Sequence, residues 1–134
     1  MKALLRLLFL LVITAQSPIG FARAHHATAT QFDTSQTIKL KGTIAKLDWA
    51  NPHVHLSVEV RAERGVVQHW DVELGSPGAI IVAGLSRDAL KPGTSLTFDA
   101  YPGKANAGST REFSACATQI TLADGTTASF VVGI

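Results

Sequence analysis

The run Asn51-Pro52-His53-Val54-His55-Leu56-Ser57-Val58-Glu59-Val60 decides the fold. Val54, Leu56, Val58 and Val60 fall on one side, and His53, His55, Ser57 and Glu59 on the other. That period of two belongs to a half-buried strand, not to a helix. Downstream, Arg61-Ala62-Glu63-Arg64-Gly65 has the composition of a five-residue hairpin loop. The next strand then turns Trp70, Val72 and Leu74 inward and His69, Asp71 and Glu73 outward. A hairpin symmetric about Glu63 sets His55 opposite Asp71 and His53 opposite Glu73.

Upstream, Ile38, Leu40, Gly42 and Ile44 alternate with Lys39, Lys41 and Thr43 before the apolar phase slips to Leu47 and Trp49. A glycine and a phase slip in one long strand predict a bend or bulge, which lets that strand serve two sides of a small barrel. Beyond the third strand, Ser76-Pro77 reads as an N-cap with proline at the first helical position. Ala79 to Ala83 forms a short apolar helix that Gly84 closes. Ser86 to Leu90 adds one more turn, Lys91-Pro92-Gly93 breaks it, and Leu96, Phe98 and Ala100 alternate along a fourth strand.

Pro102 to Arg111, rich in Gly, Ala, Asn and Ser, reads as a flexible loop. Cys116, Ile120 and Leu122 share a parity on a fifth strand, and Asp124-Gly125 turns the chain into a last strand ending near Val132. This order predicts a mostly β fold: a small OB-like antiparallel β-barrel over residues 37–134, with one short helix between strands 3 and 4. An open sandwich is the alternative.

The first 24 residues have a different character. Met1 to Arg6 is basic, Leu7 to Ile13 is an unbroken apolar run, and Pro18 and Gly20 precede Ala22-Arg23-Ala24. This is the pattern of a secretory signal peptide over 1–24, with cleavage after Ala24 favoured over cleavage after Ala22. The apolar run is short of the roughly 20 residues that span a bilayer, so no permanent membrane anchor is expected. The expected location is periplasmic or secreted, and a lone cysteine, Cys116, forms no internal bridge there.

Three of the 12 Lys and Arg lie in the leader, so the remainder carries nine cations against 10 Asp and Glu. Such a balance lacks the basic face that draws phosphate backbones, and nucleic acid is not an expected partner. His25 to Gln36, polar and without period, reads as a flexible N-terminal arm.

The chain also resembles a family. Leu40-Lys41-Gly42-Thr43-Ile44, Trp49-Ala50-Asn51-Pro52-His53, Gly75-Ser76-Pro77, Arg87-Asp88-Ala89-Leu90-Lys91-Pro92-Gly93 and Leu122-Ala123-Asp124-Gly125 look like a family of small exported bacterial proteins of unknown function. Its mature members resemble this chain in opening with a His-His pair. The resemblance implies export and a compact β domain, and it brings no activity, cofactor or catalytic residue.

Two histidine clusters carry the functional expectation. Cleavage after Ala24 makes His25 the amino terminus, whose free amine and ring nitrogen chelate one metal, and a further imidazole completes a histidine-brace-like site suited to Cu(II). His53-Val54-His55 places two imidazoles on one strand face roughly 6 to 7 Å apart at the backbone. His25, His26, His53 and His55 thus form a pool for three nitrogen ligands, with Asp71 and Glu73 as ligands or as acceptors that orient the rings. The bland reading is a solvated sheet face on which polar residues alternate, with His69 as one more of them.

Cys116 is expected as a small buried hydrophobe, and Trp49, Trp70, Tyr101 and Phe113 as core anchors. No Gly-x-Ser-x-Gly, Cys-x-x-Cys, His-Glu-x-x-His or phosphate-cradling glycine loop occurs, so an enzyme is less expected than a binding protein. The expected function is an exported metal-binding protein, copper favoured over zinc. The rival is a metal-free OB-like module holding a small ligand or an envelope protein.

Overall fold

The computed structural model describes residues 28–109 and 112–130. Six strands form one sheet: β1 (Ile38–Asp48), β2 (His55–Arg61), β3 (Val67–Glu73), β4 (Ser95–Pro102), β5 (Glu112–Leu122) and β6 (Thr127–Ser129). Their order is β3-β2-β1-β4-β5-β6, and an additional β3–β5 pairing closes the first five into a barrel. All pairings are antiparallel except that closure, which is parallel. One helix, α1 (Pro77–Val82), lies between β3 and β4. The fold is the OB-like barrel that the order of elements predicts.

β1 bends as its sequence requires. Residues 38–43 pair with β4, residues 43–48 pair with β2, and the β2 register slips between Ile44 and Lys46. Ala45 is therefore the extra residue of a bulge that carries one strand around two sides of the barrel. Gly42 sits at the crossing. A Cβ built there would stand 2.5 Å from Val58 Cγ1 and 2.6 Å from the Glu59 carbonyl oxygen, so only glycine allows β1 and β2 to approach this closely.

The interior is filled by the inward alternation. Ile44, Leu56, Val58, Trp70, Val72, Leu96, Phe98 and Ile120 are buried there with Ile80 of α1 and Leu85 and Leu90 beyond it. Trp70 stacks on Phe113 at 4.7 Å and meets Phe98 edge-on at 6.3 Å, so the aromatic rings pack inward. Ser76 caps α1 by accepting from the Ala79 N–H, and Ser86 caps the following 3-10 turn at Arg87–Leu90 in the same way.

Two expectations need correction. The β2–β3 hairpin is centred on Arg64, not Glu63: the loop is Ala62–Val66, with Arg64 and Gly65 at positive φ. His55 accordingly lies opposite Glu73, and Ser57 lies opposite Asp71. Next, Cys116 does not share the phase of Ile120 and Leu122. Ala100 pairs with Ala117 while Asp99 pairs with Gln119, which leaves Thr118 as a bulge whose hydroxyl donates to the Asp99 carbonyl. Ala115 and Ala117 join the barrel core, and Cys116 is buried outside it.

Within the described residues, parts of the N-terminal segment and of the loop after Pro102 contact the barrel. Residues 28–31 form one helical turn, Phe32 bridges Gly103 and is buried, and the Asp33 N–H donates to the Pro102 carbonyl at 2.8 Å. Gly103–Ser109 is tied to β5, because the Asn106 side chain donates to the Ser114 carbonyl and accepts from the Ser114 N–H, each at 2.8 Å.

Candidate functional site

The outer face of β2 and β3 brings the second histidine cluster and both predicted carboxylates together. His53 stands just ahead of β2, after a cis Asn51–Pro52 peptide, and its Nδ1 lies 2.6 Å from Glu73 Oε1. His55 Nδ1 lies 3.0 Å from Asp71 Oδ1. Each imidazole reaches the carboxylate expected for it, although the strand register is not the expected one. His55 faces Glu73 across the ladder but bonds diagonally to Asp71, one of the offset contacts within reach of long side chains on a sheet. Continuing the register places Gly75 opposite His53, which also bonds two residues back, to Glu73.

These contacts have a chemical consequence. A neutral imidazole that gives its Nδ1 proton to a carboxylate keeps its lone pair on Nε2, and the carboxylate fixes the orientation of the ring. Both rings are partly exposed. Glu73 is the better buried carboxylate, at 18% exposure, and is held on its other side by the β5 pairing to Cys116. Burial, with Glu73 adding to it, pushes the Cys116 thiol up to about 12, so it stays protonated at neutral pH.

A cleft of about 380 Å³ opens beside the pairs. His55, Asp71 and Glu73 form one wall, Thr30, Gln31 and Phe32 another, and Lys104, Ala105 and Ser114 the rim. Lys104 Nζ donates to the Ala29 carbonyl, which ties the rim to the N-terminal segment. On its other flank His55 borders a second hollow with Lys46, Asp48, Ser57 and Asp71. His69 is remote from this cluster, at the far end of β3 opposite Glu59 and Glu112.

His25 and His26 lie outside the described residues. Among the described residues, no three His, Cys, Asp or Glu side chains converge on a point where a metal ion could sit. Sequence reasoning missed the walls from Thr30 to Phe32 and from Lys104 to Ser114. One signal was available for the first: Phe32 is the only large apolar residue between His25 and Gln36.

No helix of the described residues is long and apolar enough to cross a membrane. No curated protein sequence matches the chain. Among solved structures, the chain is similar to Rim1, a mitochondrial single-stranded DNA binding protein from S. cerevisiae, at 12% identity and a TM-score of 0.50, over 66% of this chain and 93% of that one. At that identity the likeness is one of fold alone. A profile for the family of unknown function DUF6152 matches residues 13–111, and the chain belongs to that family.

Proposed function

We propose that the protein is exported, that its leader is removed after Ala24, and that the mature domain binds one transition-metal ion, copper in preference to zinc, in handling or sensing rather than turnover. The metal takes nitrogen ligands from His25, His26, His53 and His55. One observation supports this reading: both imidazoles of the strand-2 cluster are engaged at Nδ1 by carboxylates, which leaves the Nε2 lone pairs of two oriented, partly exposed rings free of that contact, at the start of a strand.

Two imidazoles do not complete a site, and the reading draws the remaining nitrogen from His25 and His26, close in sequence to the cleft. Thr30, in the wall facing His55, is four residues after His26. At about 3.5 Å per residue, an extended chain puts His26 no more than ~14 Å from Thr30. A terminal amine, its own imidazole and one strand imidazole make the planar nitrogen set that Cu(II) favours. The same reading takes His25-His26 and Trp49-Ala50-Asn51-Pro52-His53 as marks of the family, so further members keep them together.

This reading expects no nucleic acid on this face. The inward packing of Trp70 and Phe113 leaves β2 and β3 presenting His, Ser, Asp and Glu, without the aromatic platform on which bases stack.

The test uses protein beginning at His25. Calorimetry should show about one equivalent of Cu(II) bound more tightly than micromolar, and the electron paramagnetic resonance spectrum should carry nitrogen hyperfine structure. His53→Ala should weaken binding at least about tenfold, roughly 1.4 kcal/mol. Micromolar or weaker affinity for both copper and zinc would instead favour a metal-free module that holds a small ligand in the cleft beside His55.

A further inference from the structure

Lys39 and Lys41 stand two residues apart on the outward side of β1, and the barrel treats them differently. Lys39 lies across from Asp99 and forms an ion pair with it at 3.3 Å. Lys41 lies across from Thr97, so its strand partner offers no countercharge. Arg61, at the end of β2, is likewise set against Val67 on β3. Among the described residues, neither Lys41 nor Arg61 takes part in an ion pair.

The ladders bring these two cations to one opening. The β1–β2 ladder starts at the row Thr43–Glu59, beside Gly42, where the strands cross at close range. Beyond that row β1 runs back along β4 as far as Ile38, while β2 runs on along β3 to Arg61. The two strands do not pair with each other there, so the sheet forks. A cavity of about 470 Å³ lies at the fork, lined by Lys41 and Thr43 of β1, Glu59 and Arg61 of β2, Val67 of β3 and Ser95 of β4. All six alternate with inward residues along their strands and so share the outer face of the barrel.

The charges decide what fits. A guanidinium presents paired N–H donors that match a carboxylate, an ammonium adds a second cation, and hydroxyls donate beside them. Glu59 brings one negative charge to the wall, and its strand neighbours are Thr43 and His69. Two cations less one carboxylate leave a formal charge of +1 in the lining, which balances a singly charged anion. A doubly charged one would be repelled by Glu59 without a further cation to offset it. Val67 and the methylene stems of Lys41 and Arg61 supply apolar contact for a short hydrocarbon tail.

We propose that the fork binds a small organic monocarboxylate, held at its carboxylate by Arg61 and Lys41, with Glu59 excluding dianions. The site stands apart from the metal reading. Arg61 is six residues along β2 from His55, roughly 20 Å at the rise of a strand, and none of the lining belongs to the histidine cluster.

The experiment is an amide-resolved NMR titration of metal-free protein beginning at His25, which keeps every strand of the barrel. Two probes are used at constant ionic strength, butyrate and inorganic phosphate, at a pH where phosphate is doubly charged. Butyrate should shift the Thr43, Glu59, Arg61 and Ser95 amides saturably, with a Kd of about 1 mM or tighter, and phosphate should bind at least about tenfold more weakly. Arg61→Gln and Lys41→Gln should each weaken butyrate about tenfold. Arg87→Gln removes the same charge from the 3-10 turn and should change the affinity less than about twofold. Glu59→Gln should tighten phosphate about fivefold or more and narrow its disadvantage against butyrate.

These side chains lie outside the core, and unchanged β2–β3 amide positions away from the fork check that each variant is folded. Shifts that stay linear in butyrate overturn the site, as does equal weakening by Arg61→Gln and Arg87→Gln, which would mark a diffuse surface field. Phosphate binding as tightly as butyrate, or unmoved by Glu59→Gln, overturns the monocarboxylate assignment. Failure of the protein to bind copper sinks the metal reading and leaves this titration to decide the fork.

Discussion

Two phenylalanines, both nearly inaccessible to solvent, hold different things in place. Phe98 is fully buried in the barrel and meets Trp70 edge-on, among residues delivered by β2, β3, β4 and β5. Phe32 is buried outside that cluster, on a segment secured by a few backbone ties. Burial alone does not distinguish them. What differs is whether the surrounding structure can let go, and only the second can detach without opening the barrel.

The largest expected effect breaks the first of the pair. Phe98→Ala leaves a cavity that five paired strands cannot collapse onto, and it should lower global stability by about 3–5 kcal/mol, read as a shift in the urea midpoint at constant m-value. Gly42→Ala comes next. Its Cβ would meet a Val58 methyl and the Glu59 backbone oxygen well inside contact distance, so β1 must move off β2. We expect a loss of about 3 kcal/mol, at the upper end of overpacking costs. A loss under about 1 kcal/mol would mean that the strand crossing is looser than its geometry.

Phe32→Ala should cost the global transition only about 1–2 kcal/mol, because the penalty is capped by the free energy of docking the segment. Amide exchange gives the sharper reading. The Asp33 N–H, which donates to Pro102, should lose its protection, while the β2–β3 amides keep theirs. A drop comparable with that of Phe98→Ala would place Phe32 in the barrel's own cooperative unit and erase the contrast.

The same contrast explains what could be read from the sequence. The barrel follows from alternation, because Val54 to Val60 and Trp70 to Leu74 each show a core face, and Gly42 with the phase slip to Leu47 marks the bend. The Ser76-Pro77 cap was equally plain. The hairpin register was not, since it turns on which of two adjacent residues takes positive φ: Arg64 does so together with Gly65, and the pairing moves by two residues. The bulge at Thr118 was also hidden, because a small-residue stretch, Ala115-Cys116-Ala117, has inward alanines that do not announce their phase. The His53–Glu73 and His55–Asp71 pairs survive the register error because long side chains reach across a diagonal. The segment around Phe32 was invisible for a different reason: a single apolar residue has no period.

Cys116 gives the smallest effect and the finest division between the two regions. It is flanked in sequence by core alanines but faces away from the core, across from Glu73. Its thiol titrates at about 12 when folded, chiefly through burial and secondarily through Glu73, against 9.0 for an ordinary thiol. Between those values the folded chain holds the proton that the unfolded chain has lost. The stabilisation is therefore complete below pH 9 and disappears as pH rises toward 12.

Cys116→Ala should cost about 1 kcal/mol near neutral pH through the lost sulfur contacts. The gap between parent and variant urea midpoints should then close near pH 10 and reverse by pH 11, because each pH unit between the two values costs the parent about 1.4 kcal/mol. Comparing the two proteins at each pH cancels the tyrosine and lysine titrations that both share. Iodoacetamide at pH 8 should alkylate the folded thiol about 1000-fold more slowly than an unhindered one, as the thiolate fractions require. A gap that stays constant across that range, or a thiol that reacts readily in the folded protein, would show that the Cys116 side chain is open to water across from Glu73.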